Sequence, residues 1–437
     1  MDVLHHPRRR ADDRPTAGLT GDLLVDLRQV IYALSDALDL VGIDDVGHGK
    51  RVGVMAAALA RRLGLDPVAT TFLFDLGMLH DIGVSSTATH GHLVAEFDWE
   101  NSQVHCEIGH ALLRDFPPLA AMAAPIRHHH TRWELLAADA RVDAATARQA
   151  NLVFLVDRVD ALAAPHYADG SLLMHAAAIR ARIAAVAGSY FDPALVDAFL
   201  AASESEAFWL QLEPRGVQAA LQDMLASHEP CHATRGELRQ LAEIFSRIVD
   251  AKSPFTAEHS LGVARLARHI AARLDIAADN QDKIEIAGLL HDLGKLRIPD
   301  EILDKPGGLD ARERKIIHAH SFETFQILRH IRGFEEIAAW AAWHHEEPDG
   351  NGYPFRVRGT ELPLEARILR VADIFQAMAQ DRPYRKGLSA GEVRAFIEDL
   401  AARGRIEPEI VAALAADMPA AMAAALPGKS PLALGSA

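Results

Sequence analysis

Apolar residues recur every three or four positions over 22–40, 49–64, 237–250 and 259–274, in segments rich in Ala, Leu and Arg. That period marks one buried stripe per helix. Runs of alternating β-branched residues, the signature of strands, are absent, so the pattern predicts an all-α fold. Two stretches lack a periodic face, the charged residues 1–18 and the small, Pro-containing residues 418–437, and both are expected to be flexible tails. A polar stretch around Ser227–Thr234, with Pro230, is the natural linker.

The pattern also repeats. Leu27-Arg28-Gln29 and Leu238-Arg239-Gln240 each begin 21 residues before a histidine, His48 and His259. Another 32 residues separate His48 from His80 and His259 from His291, and each second histidine precedes an aspartate, Asp81 or Asp292. His105 and His320 follow, each with a leucine eight residues on, then His128-His129-His130 and His344-His345, then Asp157 and Asp373. One order kept twice implies duplication. The expected organisation is a tail at 1–18, a first helical-bundle domain at 19–228, a linker at 229–236, a second bundle at 237–417 and a tail at 418–437.

Composition narrows the function. The 437 residues carry 45 Lys and Arg against 60 Asp and Glu, a net charge of −15. An acidic chain lacks the basic face that a nucleic-acid polymer requires, so no such partner is expected. Two cysteines make no disulfide framework, and no apolar run approaches the ~20 residues of a membrane span. A cytoplasmic protein without a membrane partner is the resulting expectation. The 23 histidines are the anomaly, because imidazole is the commonest transition-metal ligand.

In the second half His259, His291, Asp292, His320, His344, His345 and Asp373 fall on several predicted helices or helix ends. A helical bundle can turn such residues inward around metal. Seven donors exceed one tetrahedral zinc and suit two six-coordinate ions joined by a carboxylate, with places left for water and substrate. Asp292 is the natural bridge. Lys295, three residues on, offers a point charge to a phosphate oxygen. Asp349-Gly350-Asn351-Gly352 is a turn cluster that lets backbone approach a ligand, with Tyr353 beside it to pack on a base. His318 reads as a solvated neighbour of His320.

These residues bring the second half, over roughly 236–415, into resemblance with the HD-GYP subgroup of the HD-domain metal-dependent phosphohydrolases. Phe255-Thr256-Ala257-Glu258-His259-Ser260, His291-Asp292-Leu293-Gly294-Lys295 and the run His344-His345-Glu346-Glu347-Pro348-Asp349-Gly350-Asn351-Gly352-Tyr353-Pro354 carry it. Val371-Ala372-Asp373 and Asp381-Arg382-Pro383-Tyr384-Arg385 complete the set. The resemblance implies two tandem HD-type domains and hydrolysis of a cyclic dinucleotide, chiefly cyclic di-GMP, to linear pGpG or GMP. It implies a dinuclear centre of divalent iron or manganese, attack by a metal-bridging hydroxide, and catalytic roles for Asp292 and Lys295. Substrate contacts fall to Lys295, Gly352, Tyr353, Pro354, Arg382, Arg385 and Lys386. Some relatives bind a third ion through a glutamate four residues before the first histidine. Phe255 stands there, so two ions are expected.

The first half keeps a full candidate ligand set, His48, His80, Asp81, His105, His129, His130 and Asp157, and Asp44 stands four residues before His48. It loses the substrate groups: Val84 replaces the lysine, and no Gly-Tyr-Pro string follows its histidines. It is expected to be a degenerate domain, regulatory or sensory, that binds metal without hydrolysing substrate. The alternatives left open are a 3′,3′-cyclic GMP-AMP phosphodiesterase, an HD-domain hydrolase of dNTPs or alarmone nucleotides, and a non-catalytic cyclic-dinucleotide or metal sensor. A homodimer is also left open.

Overall fold

The computed structural model describes residues 25–42, 47–227, 231–253, 258–381 and 385–426. Asp44, Phe255 and Arg382, singled out above, and the N-terminal tail lie outside these. The described residues form twenty-two α-helices, four short 3₁₀ turns and one two-stranded pairing. The all-α expectation holds.

Helix starts follow local chemistry. Thr234 with Glu237, Asp310 with Glu313 and Ser389 with Glu392 form reciprocal caps, each side chain satisfying the other residue's backbone N–H. Asp66 accepts from the Ala69 amide at the start of Pro67–Leu79. Each half then builds the same core. Helix His48–Arg62 crosses Pro67–Leu79 where a Cβ on Gly77 would lie 2.8 Å from Gly53 Cα. Helix His259–Arg273 crosses Ala278–Leu290 where a Cβ on Gly288 would lie 2.8 Å from Ala264 Cα. Only glycine permits that approach, and it brings the first histidine of each half to its His-Asp pair. Asp39 and Asp250, nine residues before those histidines, accept from the amides of Gly49 (3.0 Å) and Ser260 (3.1 Å) and fix where the helices begin.

The halves lean on each other reciprocally. Gln29 accepts from the Arg332 amide at 3.3 Å, and its repeat partner Gln240 donates to the Asp115 carbonyl at 2.9 Å. Strand Val25–Asp26 pairs antiparallel with His232–Ala233, and helix Leu27–Asp39 packs on Ala311–Leu328 and on the turn Leu293–Arg297. At the centre, Lys252 Nζ donates to the Ser85 carbonyl (3.2 Å) and to Asp300 Oδ1 (3.0 Å), with its side chain 0% exposed. Asp300 Oδ2 accepts from Ser86 Oγ at 2.8 Å and from the Ala88 amide at 3.3 Å. A carboxylate of one half thus caps helix Thr87–Ala95 of the other.

Two boundary expectations need correction. Residues 232–233 are strand and Arg235–Ala251 is helix, so strand and helix already take half of the expected linker at 229–236. Met418–Ala425 is also helix, with Ala421 and Ala425 fully buried on the His259–Arg273 helix. Its apolar residues run nearly all the way round so short a helix, so no one-sided face registers in the sequence. Among the described residues no single helix is long and apolar enough to cross a membrane.

Asp300→Ala leaves a buried ammonium without its counter-charge. It should lower the thermal unfolding midpoint by the equivalent of about 3 kcal/mol, and adding Lys252→Met should recover part of the loss.

Candidate metal centre

The seven histidines and aspartates predicted in the C-terminal half converge. His259 starts its helix, His291 ends Ala278–Leu290, Asp292 opens the turn Leu293–Arg297, and His320 lies within Ala311–Leu328. His344 and His345 follow helix Glu335–Ala342, and Asp373 lies on Leu364–Ala379. One donor atom each from His259, His291 and Asp373 falls within 4.8 Å of the others, and so do donors from His320, His344 and His345. Asp292 stands between the two groups. Its Oδ2 lies 3.2 Å from His291 Nε2 and 3.6 Å from His259 Nε2, while its Oδ1 lies 3.4 Å from His320 Nε2 and 3.8 Å from His344 Nε2.

The imidazoles are aimed by their own backbone. His291, His320 and His344 each donate Nδ1–H to the carbonyl three residues earlier, Gly288 (2.8 Å), Ile317 (2.6 Å) and Ala341 (2.6 Å). His259 donates Nδ1–H to Gln376 Oε1 at 2.5 Å. With Nδ1 committed, Nε2 turns its lone pair inward, as a metal ligand requires. Burial pushes His320 down to about 4 and His344 and His345 well below the usual imidazole range, which keeps these three neutral. Burial alone would raise Asp292, but His291 and Lys295 beside it hold it well below the usual carboxylate range. His291 Nε2 and Asp292 Oδ1 are buried without a hydrogen-bond partner. Neutral nitrogens, buried carboxylates and orphaned atoms facing one another fit divalent cations.

Lys295 lies on the turn after Asp292, 21% exposed, with Nζ 2.5 Å from Asp292 Oδ2. The Gly-Tyr-Pro segment is built differently from the sequence expectation. Glu346, fully buried, accepts from the amides of Phe355 (2.7 Å), Arg356 (3.1 Å) and Val357 (3.1 Å) and ties that loop to the paired histidines. Glu347 accepts from Arg370 at 2.7 Å and Arg405 at 2.6 Å. A Cβ on Gly352 would collide with the backbone of Glu346 and Glu347. Tyr353 stacks on His345, ring centroids 4.7 Å apart, and on His318, 3.6 Å apart and nearly parallel. His318 is therefore a stacking partner and not a solvated neighbour, and the Tyr353 ring is taken by imidazoles instead of standing free for a base. Pro354 is half-buried beside it. Arg385 also differs: its guanidinium donates to the carbonyls of Ala377 (2.8 Å) and Met378 (3.3 Å), capping the helix that carries Asp373. Lys386 is exposed.

The N-terminal set converges in the same pattern. His48, His80 and Asp81 form one group, and Asp81, His105, His129 and His130 another, with Asp157 3.4 Å from His48 Nε2. Sequence reading missed Gln376 and its counterpart Asp160, Glu346, Arg158 and Cys106, the last buried 3.5 Å from His129 Nδ1. Asp160 and Gln376 each stand three residues after the last predicted aspartate, so the repeat itself carried that signal.

Comparison with known proteins matches residues 243–410 and residues 46–164 to models of the HD domain. The chain is 36% identical over 391 residues to 3′3′-cGAMP-specific phosphodiesterase 1 of Vibrio cholerae, covering 88% of this chain and 90% of that protein. It is 34% identical over 179 residues to the cyclic di-GMP phosphodiesterase response regulator RpfG of Xanthomonas campestris, covering 40% of this chain and 47% of that protein. Among solved structures, that of a cyclic GMP-AMP specific phosphodiesterase of V. cholerae superposes with a TM-score of 0.62 at 25% identity, covering 90% of this chain and 97% of that one.

Glu346→Ala should free three backbone amides and release the loop from His345. Limited proteolysis should cut near 355–357 several times faster, with helix content by circular dichroism unchanged.

Proposed function

The chain belongs to the HD-domain family, and from that premise we propose that its C-terminal half hydrolyses a 3′,3′-cyclic dinucleotide to a linear product, as an HD-GYP-type phosphodiesterase. The observation that carries the reading is Asp292, with one carboxylate oxygen toward each of two three-donor groups. In this reading His259, His291 and Asp373 would hold one divalent ion and His320, His344 and His345 the other, with Asp292 facing both groups. Iron or manganese suits this set of imidazoles and carboxylates. Two such ions, when bound, supply an activated water and neutralise charge on the phosphoryl oxygens.

The protein's own residues do the rest. The carbonyls of Gly288, Ile317 and Ala341 and the Gln376 side chain hold the Nδ1 protons of His291, His320, His344 and His259, so these four imidazoles need not reorient. Lys295 stays charged beside Asp292 and presents an ammonium to a non-bridging phosphoryl oxygen as negative charge grows there. Water adds across one P–O3′ bond: its oxygen joins phosphorus, and a proton ends on the departing 3′ oxygen. Tyr353 and Glu346 would hold His345 and its loop, and exposed Lys386 would offer a charge to a second phosphate. A cytoplasmic location and a homodimer belong to the same proposal.

Between the two guanine-containing cyclic dinucleotides, the relative matched over nearly its whole length is named for 3′3′-cGAMP, whereas the cyclic di-GMP relative is matched over less than half. That favours 3′,3′-cyclic GMP-AMP as the preferred substrate, with cyclic di-GMP as the second reading. Product analysis with both nucleotides in Fe(II) and Mn(II) decides between them. No turnover of either would refute the proposal.

Asp292→Ala should lose both bound metal and turnover. Lys295→Ala should keep its metal content yet lower kcat by about 10²–10³-fold, checked by metal analysis beside steady-state kinetics.

A further inference from the structure

The N-terminal half carries no part in that chemistry, yet it buries five imidazoles and two carboxylates in the same arrangement. Asp81 Oδ2 lies 3.5 Å from His80 Nε2 and 3.9 Å from His48 Nε2. Its Oδ1 lies 3.2 Å from His105 Nε2 and 3.7 Å from His129 Nε2. One carboxylate again faces two groups of donors. His80 and His129 donate Nδ1–H to the carbonyls of Gly77 (2.7 Å) and Ile126 (2.6 Å), which turns each Nε2 inward. His80 Nε2 and Asp81 Oδ1 are buried with no hydrogen-bond partner, a cost of several kcal/mol that a cation would remove.

The surroundings differ from the catalytic half in three ways. Behind His48, where the other half has neutral Gln376, stands fully buried Asp160, 2.7 Å from Nδ1, itself held by Arg51 Nε (2.8 Å) and Tyr167 Oη (2.6 Å). A carboxylate there makes the imidazole a stronger donor than an amide does. Arg158 donates to both oxygens of Asp157 at 2.9–3.2 Å and offsets part of the negative charge of the site. Finally, apolar side chains, among them Leu38, Val41, Met78 and Val84, line the small cavity of about 20 Å³ beside His48, His80 and Asp81. That volume holds a single water. Val84, 3% exposed, occupies the place of Lys295.

We infer that the N-terminal cluster is a second dinuclear metal centre, closed to phosphate esters and open only to a ligand about the size of a water, such as hydroxide or a diatomic gas. It deepens the metal reading of the preceding subsection, and the test separates the two. The full chain, loaded anaerobically with Fe(II) and desalted, should retain about four ions. His80→Ala/His129→Ala should retain about two, and so should His291→Ala/His344→Ala. Asp81→Asn, which preserves shape, repeats the first measurement should the double variant misfold. About two ions in the wild type, lost only with the C-terminal variant, would overturn the inference and leave the proposed function intact. About two ions lost only with the N-terminal variant would do the reverse. In the His291→Ala/His344→Ala protein, nitric oxide should produce an iron–nitrosyl electron paramagnetic resonance signal, while inorganic phosphate should leave the spectrum unchanged. Silence toward nitric oxide, or a response to phosphate, would refute the closed, gas-sized site.

Discussion

A single carboxylate that must face two sets of imidazoles governs this fold. Asp292 can reach both groups only if the helix ending at His291 lies against the helix beginning at His259, and if the third and fourth histidines arrive from the opposite side. The first condition is met by the glycine-tight crossing at Gly288 and Ala264. The second is met by stacking helix Ala311–Leu328 on the turn that carries Lys295. Burying so many polar groups is unfavourable unless each finds a partner, and the backbone carbonyls behind the imidazoles provide half of that compensation. The other half is left to a cation.

The residues that converge were legible because side chains suited to metal are few in type and duplication repeats their spacing. His259, His291, Asp292, His320, His344, His345 and Asp373 could be read in order before any helix was placed, and the first half mirrored them. What supports the ligands was not legible. Glu346 looks like one more charged residue in a conserved-looking string, yet it is buried against three amides ten positions downstream. Arg385 reads as a phosphate contact because guanidinium so often serves that purpose, but a helix end needing donors lies closer. Tyr353 reads as a base-stacking ring, and only the fold reveals that two imidazoles reach it first. Such roles depend on which distant segment comes alongside, and spacing along the chain does not encode that.

The two halves keep one scaffold and differ in what surrounds it. Both retain the paired donor groups and a carboxylate between them. Only one retains the ammonium and the glycine-rich loop. At the equivalent place the other has Val84, and its first histidine is backed by Asp160, which Arg51 and Tyr167 hold in turn.

The interlocking of Lys252, Asp300 and Ser86 also changes what kind of encounter the two halves have. Reciprocal contacts such as those of Gln29 and Gln240 are the geometry of a two-fold dimer, in which each copy offers the other the same patch. Here both patches belong to one chain. Their association is therefore first order, and dilution does not loosen it. Freed from self-complementarity, the two faces can diverge independently. A buried ammonium and its carboxylate can settle together on one side and a carbonyl with a helix start on the other, an asymmetry that two identical subunits could not hold at their common axis.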